Sequence, residues 1–333
     1  DGLWFSNATV QFINCRFVGL ESVYRDNIDQ VDEFETYGAI YLDRCTASFD
    51  NCELLDNGIA FDRMTDYTCN AEGGAINAYD SDIRITDCNF EGNYAISRGH
   101  ATDRATATSS ANGGAIHVMQ GRLEIANTRF HENRASGYAS LPQPDEILGG
   151  AIYAVNLDRL TIDDCDFEHN SAEWGRGAFD GPRGYGGAIY IGYWDVYPFN
   201  GPGTSYLSDN RFYYNMTDFD GGAVHVNEGA VVKIRRSDFE CNSLEQASGP
   251  WLDRGGNEFI EDCDPPCRAD LNGDGYVDKY DMYVIFGLWG KVKSYQQRDV
   301  DFNRDGLVDS KDLIEWTRMA RDCRKSSSTY LGK

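Results

Sequence analysis

Apolar and polar positions alternate with a period of two through much of this chain. LEIANTRF (123–130) and IRITDCNF (83–90) are the clearest cases. A period of two puts every second side chain on one face of an extended strand, so each stretch predicts a strand with one buried face, not a helix. The alternation leads into a recurring block: CNFEGN (88–93), TRFHEN (128–133), CDFEHN (165–170), NRFYYN (210–215) and SDFECN (237–242), with degenerate copies CELLDN (52–57) and CRFVGL (15–20). Upstream of it a second block returns every 35 to 40 residues, GGAI at 73–76, 113–116, 149–152 and 186–189, with YGAI at 37–40 and GGAV at 221–224 as variants and DGLWF at 1–5 as a seventh. From the last Gly of GGAI to the Phe is 16 or 17 residues in the regular copies and 25 where YWDVYPFNGPGTS (193–205) is inserted.

Strand, turn, strand, turn and variable loop, repeated at fixed spacing, is the signature of a solenoid. It predicts an all-β parallel β-helix of about seven coils over residues 1–262. Ile76, Ile116, Ile152, Ile189 and Val224 should stack as one inward column, and Phe90, Phe130, Phe167, Phe212 and Phe239 as another. The glycines allow the tight corner before the strand. Asn93, Asn133, Asn170, Asn215 and Asn242 should form a corner ladder bonded to turn backbone; a sugar-binding role is the sharper and less favoured alternative. On these GGA[ILV] and FxxN blocks, residues 1–245 resemble right-handed β-helix adhesins and the chlamydial polymorphic outer-membrane proteins. The resemblance implies the fold and, less specifically, an adhesive surface role.

The 54 acidic against 30 basic residues, a net charge of −24, argue against a nucleic-acid or anionic-membrane partner. Ten cysteines without CxxC or Cys/His zinc spacing read as disulfides of a secreted protein. The chain opens at Asp1 without an apolar leader, as in a protein whose signal peptide is gone. The longest apolar run, MYVIFGLWG (282–290), is too short to span a bilayer, so no transmembrane segment is expected. Cys15, Cys52, Cys88 and Cys165 share one repeat position. The first three fall on consecutive coils, with Cα atoms about 5 Å apart, which fits either disulfides or stacked free thiols. Cys45 with Cys69, Cys241 with Cys263, and Cys267 with Cys323 are further candidate pairs.

ADLNGDGYVDKYD (269–281) changes the picture, because DFNRDGLVDSKD (301–312) repeats it thirty-one residues on. Oxygen donors at loop positions 1, 3, 5, 9 and 12, a carbonyl at 7 and Gly at 6 form a calcium loop. The first loop offers Asp270, Asn272, Asp274, Tyr276 (carbonyl), Asp278 and Asp281; the second offers Asp301, Asn303, Asp305, Leu307 (carbonyl), Asp309 and Asp312. Two Ca²⁺ ions are therefore expected, in a small helical domain over 263–325 followed by a tail at 326–333. With Asp at position 12 and a helix starting near position 10, the pair resembles a type I dockerin. That resemblance implies a cohesin-like partner chosen by Lys279, Tyr280, Ser310 and Lys311; the two pairs differ, which argues against symmetric two-way docking. The alternative is that calcium folds a domain that caps the β-helix.

No catalytic constellation emerges. Hydrolysis of a glycosidic bond needs converging carboxylates, for which Asp80 with Asp82, or Asp158 with Asp163 and Asp164, are candidates in a chain full of acidic turns. The GHG and RIK patterns of polygalacturonases have no counterpart, and the five histidines (100, 117, 131, 169, 225) show no metal spacing. His117 and His225 share a repeat position and read as surface residues. Aromatic stretches GYWDVYPFNGPG (192–203) and RFYYN (211–215) are candidate contacts for glycans or protein. Asn7 and Asn215 lie in glycosylation sequons, and ATDRATATSSANG (101–113) is a polar loop suited to O-linked sugars. The reading is an extracellular structural or adhesive protein, assembled or attached through its calcium module and joining head to tail into a homopolymeric fibre through an open first coil. The competing reading is a polysaccharide-degrading enzyme anchored by a dockerin.

Overall fold

A computed structural model describes residues 2–24, 36–63, 69–99, 109–139, 146–174, 183–194, 203–260, 269, 271, 279–291, 300–302 and 307–327. The chain divides into two compact units, Asp1–Glu261 and Asp262–Lys333.

In the first unit the chain winds in parallel coils. One coil runs through strands Cys69–Glu72, Ile76–Thr86, Asn89–Glu91 and Tyr94–Gly99, and each pairs in parallel with its counterpart in the coils before and after. Four sheets result. The first, of 14 strands, holds the GGA strands; the second, of eight, holds the Phe strands; the third, of six, and the fourth, of five, complete the coil. The expected count of about seven coils does not hold. The second sheet has eight strands because Glu258–Ile260 pairs with Asp238–Glu240, although it carries neither repeat block.

The corners explain the conserved spacing of the blocks. Gly73 has φ +60°, and a Cβ there would lie 2.1 Å from the Ile76 carbonyl; a Cβ on Gly74 would lie 2.3 Å from the Gly114 carbonyl in the next coil. The corner between the first and second sheets uses Asn51, Asp87, Asn127, Asp164 and Asp209, all left-handed with φ between 47° and 57°. Short polar side chains tolerate that conformation.

Between the corners the inward columns stack as expected. Ile76, Ile116, Ile152, Ile189 and Val224 are fully buried in one continuous core. Successive rings from Phe90 through Phe130, Phe167, Phe212 and Phe239 to Phe259 lie 4.7 to 5.0 Å apart with planes within 12°. A thinner core of small side chains, including Ala71, Ala95, Ala111, Ala135 and Ala172, joins the third and fourth sheets.

In the second unit, helices Lys279–Gly287 and Ser310–Ser327 pack on Ala269, Ile285, Val300, Val308, Trp316 and Ala320. Trp316 Nε1 donates to the Ala269 carbonyl at 2.7 Å. Among the described residues no helix is long and apolar enough to cross a membrane.

Candidate functional site

The asparagine ladder is structural. Each backbone N–H donates to the amide oxygen one coil on: Asn57 to Asn93 (3.1 Å), Asn93 to Asn133 (3.1 Å), Asn133 to Asn170 (3.0 Å), Asn170 to Asn215 (3.0 Å) and Asn215 to Asn242 (2.9 Å). From Asn57 to Asn215 the amide nitrogens donate to the next asparagine and to a carbonyl of the preceding coil, that of Leu54 for Asn93 and of a Phe for the others, as Asn170 Nδ2 does to Phe130 at 2.9 Å. Buried polar groups matched this completely leave no amide to bind a sugar. Asn215 belongs to this ladder and is fully buried, which corrects its reading as a glycosylation site in the folded chain. Asn7 is exposed, its amide donating to Ser6 Oγ at 2.9 Å.

The shared cysteine position is a thiol position. Cys15, Cys45, Cys52, Cys88 and Cys165 are free; of the two readings of the shared position the free thiol holds and the disulfide does not, and the candidate bridge from Cys45 to Cys69 is corrected. Each thiol donates to the carbonyl two residues before it, at 3.1 to 3.4 Å. The Thr128 and Ser237 hydroxyls do the same at equivalent corners, 2.8 and 3.1 Å. The thiols thus act as small polar corner groups. Burial pushes Cys88 and Cys165 up to about 12. Cys241 is disulfide-bonded. Its candidate partner Cys263 and the further candidate Cys267 lie outside the described residues, as do the side chains of Cys69 and Cys323.

Asp158 does not converge with Asp163 and Asp164. Asp158 precedes strand Arg159–Asp163, Asp163 ends it and Asp164 follows, so about 16 Å of extended backbone separates Asp158 from the other two. Glycosidases need roughly 5 to 10 Å. Asp82 pairs in register with Thr46 and Arg122, neither of them acidic. A shallow groove along the corner is lined by Asn51, Glu53, Asp87, Asn89, Asp164 and Asp166, and among the described residues no group of three metal-ligating side chains is suitably placed.

The histidines depart most from expectation. His117 and His225 are buried and half-buried, not surface residues, because the fourth sheet closes over their row. His131 and His169 meet edge-to-face at 5.9 Å on adjacent coils, beside Glu168, Tyr213 and Tyr214. Arg129 pairs with Glu168 at 2.8 Å, and burial followed by Arg129 lowers the His131 pKa. Sequence reading missed this cluster, although His131 and Glu168 hold the same repeat position after Phe.

In the second unit, Asp281, Asp301 and Asp312 are 0%, 5% and 0% exposed. Asp281 accepts from Leu271 N at 2.7 Å, Asp312 from Asp309 N at 2.8 Å, and Asp309 caps the second helix by accepting from Lys311 N at 2.7 Å. Leu307 is described; Asp270, Asn272, Asp274, Tyr276, Asp278, Asn303 and Asp305 lie outside the described residues. Carboxylates at the first and last positions of such loops are hard oxygen donors of the kind that Ca²⁺ takes. Lys279, Ser310 and Lys311 are exposed, and nothing is described of the Tyr280 side chain.

Parallel coils with stacked Ile, Phe and Asn columns define a β-solenoid. The chain belongs to the right-handed β-helix family, whose model, described as right handed beta helix region, matches residues 1–263. No curated protein and no solved structure matches the chain.

Proposed function

We propose that this chain is an extracellular structural or adhesive scaffold whose C-terminal unit, ordered by two Ca²⁺ ions, mediates assembly or attachment. The single observation that carries this reading is the burial of Asp281, Asp301 and Asp312. In the proposed sites Asp270, Asn272, Asp274, the Tyr276 carbonyl, Asp278 and Asp281 hold one ion, and Asp301, Asn303, Asp305, the Leu307 carbonyl, Asp309 and Asp312 the other. The scaffold role is supported by the first unit, whose asparagine and thiol ladders are spent on bonds within and between coils. Either a second copy of the chain, in a head-to-tail homopolymer, or a cohesin-like protein is the partner, engaged near Lys279, Tyr280, Ser310 and Lys311. Light scattering and negative-stain imaging with calcium and with EDTA test this. Calcium-dependent fibres support the homopolymer. Calcium-dependent capture by a cohesin domain supports docking. Particles of one size under both conditions that bind no cohesin sink both.

A second reading, degradation of a polysaccharide, is favoured only by the cluster of His131, His169, Glu168 and Arg129, which groups an imidazole whose pKa burial lowers with cationic and acidic side chains. A substrate screen in which wild type releases sugar and His131→Ala does not would support it; no turnover with calcium present would dispose of it.

A further inference from the structure

One row of side chains points out of the first sheet and, after the exposed Trp4 at its start, is nevertheless closed over. In coil order it reads Trp4, Tyr41, Asn77, His117, Tyr153, Tyr190, His225 and Ser248. His117 and Tyr153 are 1% exposed. Strand ends of the fourth sheet lie against the row: Glu72 ends Cys69–Glu72, Leu148 ends Glu146–Leu148, and Tyr185 ends Arg183–Tyr185 and bridges to Asp220. Leu148 and Tyr185 pack on Tyr153 and Tyr190.

The two imidazoles of the row are set alike. His117 lies flat on Tyr153 (4.8 Å, 3°) and near Tyr79 (5.5 Å). Asn77 Nδ2 donates to Glu72 at 3.4 Å, which leaves its oxygen to accept from His117 Nδ1 at 2.9 Å; the Glu72 carboxylate is 4.0 Å from that nitrogen. His225 lies on Tyr190 (5.5 Å, 16°) and against Tyr185 (4.7 Å), with Nδ1 at 2.8 Å from Ser248 Oγ and 3.8 Å from Asp220. Burial lowers both imidazole pKa values, opposed by Glu72 at His117 and by Asp220 at His225. Glu146 is the other acidic group felt along the row, at Tyr153 and Tyr190, whose phenols burial pushes upward, Tyr190 to about 12.

We propose that this seam is a proton-operated latch, in which mildly acidic medium charges His117 and His225, lifts the strand ends of the fourth sheet and uncovers the aromatic row. An imidazole released to water recovers its ordinary pKa of about 6.5. The opened state then binds more protons than the closed one, so opening is favoured as pH falls below that value. Between pH 7.5 and 5.0 each imidazole can raise the opening constant by up to about thirtyfold. The uncovered strip, with Tyr41, Tyr153 and Tyr190, is apolar enough to recruit another surface.

Hydrogen-exchange mass spectrometry of the full chain, corrected for intrinsic exchange at each pH, tests the latch. Protection of Cys69–Glu72, Glu146–Leu148 and Arg183–Tyr185 should fall at least about tenfold from pH 7.5 to 5.0, while Asn89–Glu91 and Arg129–His131 stay protected. The double variant His117→Asn, His225→Asn should abolish the response. Asparagine already occupies the row at Asn77, and Tyr, as at Tyr153, is the alternative pair if the Asn variant does not fold. Equal protection of the seam at both pH values overturns the proposal, as does a response that survives in the double variant.

Discussion

The two units solve the same problem, enclosing a core, by opposite means. Residues 1–261 enclose theirs by repetition: each coil is covered by its neighbours, and each ladder asparagine from Asn57 to Asn215 bonds to the next one coil on. Among the described residues of the unit at 262–333, Ala269, Ile285, Val300, Val308, Trp316 and Ala320 form a core cluster, and Asp281, Asp301 and Asp312 are also buried. Under the proposed function those carboxylates are ligands of calcium, and metal binding then contributes directly to the folding of that unit.

The largest effect should come from the small unit. Asp281→Ala or Asp312→Ala is expected to abolish calcium-dependent folding of residues 262–333, read by loss of the calcium-induced helical signal, and to leave the β-helix transition in place. If the large transition moved equally, the separation of the two units would fail. Next, Phe167→Ala removes the central ring of the Phe column and should cost about 3–5 kcal/mol of β-helix stability in denaturant unfolding. Calcium binding should not change. Asn170→Ala removes the acceptor of the Asn133 N–H, one of the two acceptors of the Asn133 amide, and a donor to the Phe130 carbonyl. With one buried donor left unsatisfied, a loss of about 1–3 kcal/mol is expected. Smaller is the effect of thiol reagents. With Cys88 and Cys165 at about 12, the reactive thiolate is scarce at pH 8, and iodoacetamide should leave both unmodified in the native chain. Smallest, Arg129→Ala breaks an exposed pair with Glu168 and should cost under about 1 kcal/mol.

Much of the first unit was legible in sequence. The Ile and Phe columns follow from period-two alternation, and the Asn ladder from FxxN. The eighth coil was not, because NEFIED (257–262) keeps only Phe259, which stacks on Phe239 at 4.8 Å without the flanking motif. His117 and His225 were misplaced for a physical reason. Period two tells inward from outward, and outward was equated with solvent; the residue before each GG corner, Glu72 or Tyr185, was the overlooked sign of a covering sheet. The cysteine position held a second ambiguity, since register brings thiols close enough for a bridge while corner carbonyls offer them hydrogen bonds. The His131–His169 cluster needed three dimensions, because one histidine lies on the strand and the other at the corner.

Differential scanning calorimetry of the full chain with calcium and with EDTA tests the central claim most directly. The expected result is two transitions, of which only the smaller, assigned by the Asp281→Ala variant to residues 262–333, rises with calcium. Two transitions unmoved by calcium, with no heat of calcium binding, would contradict it.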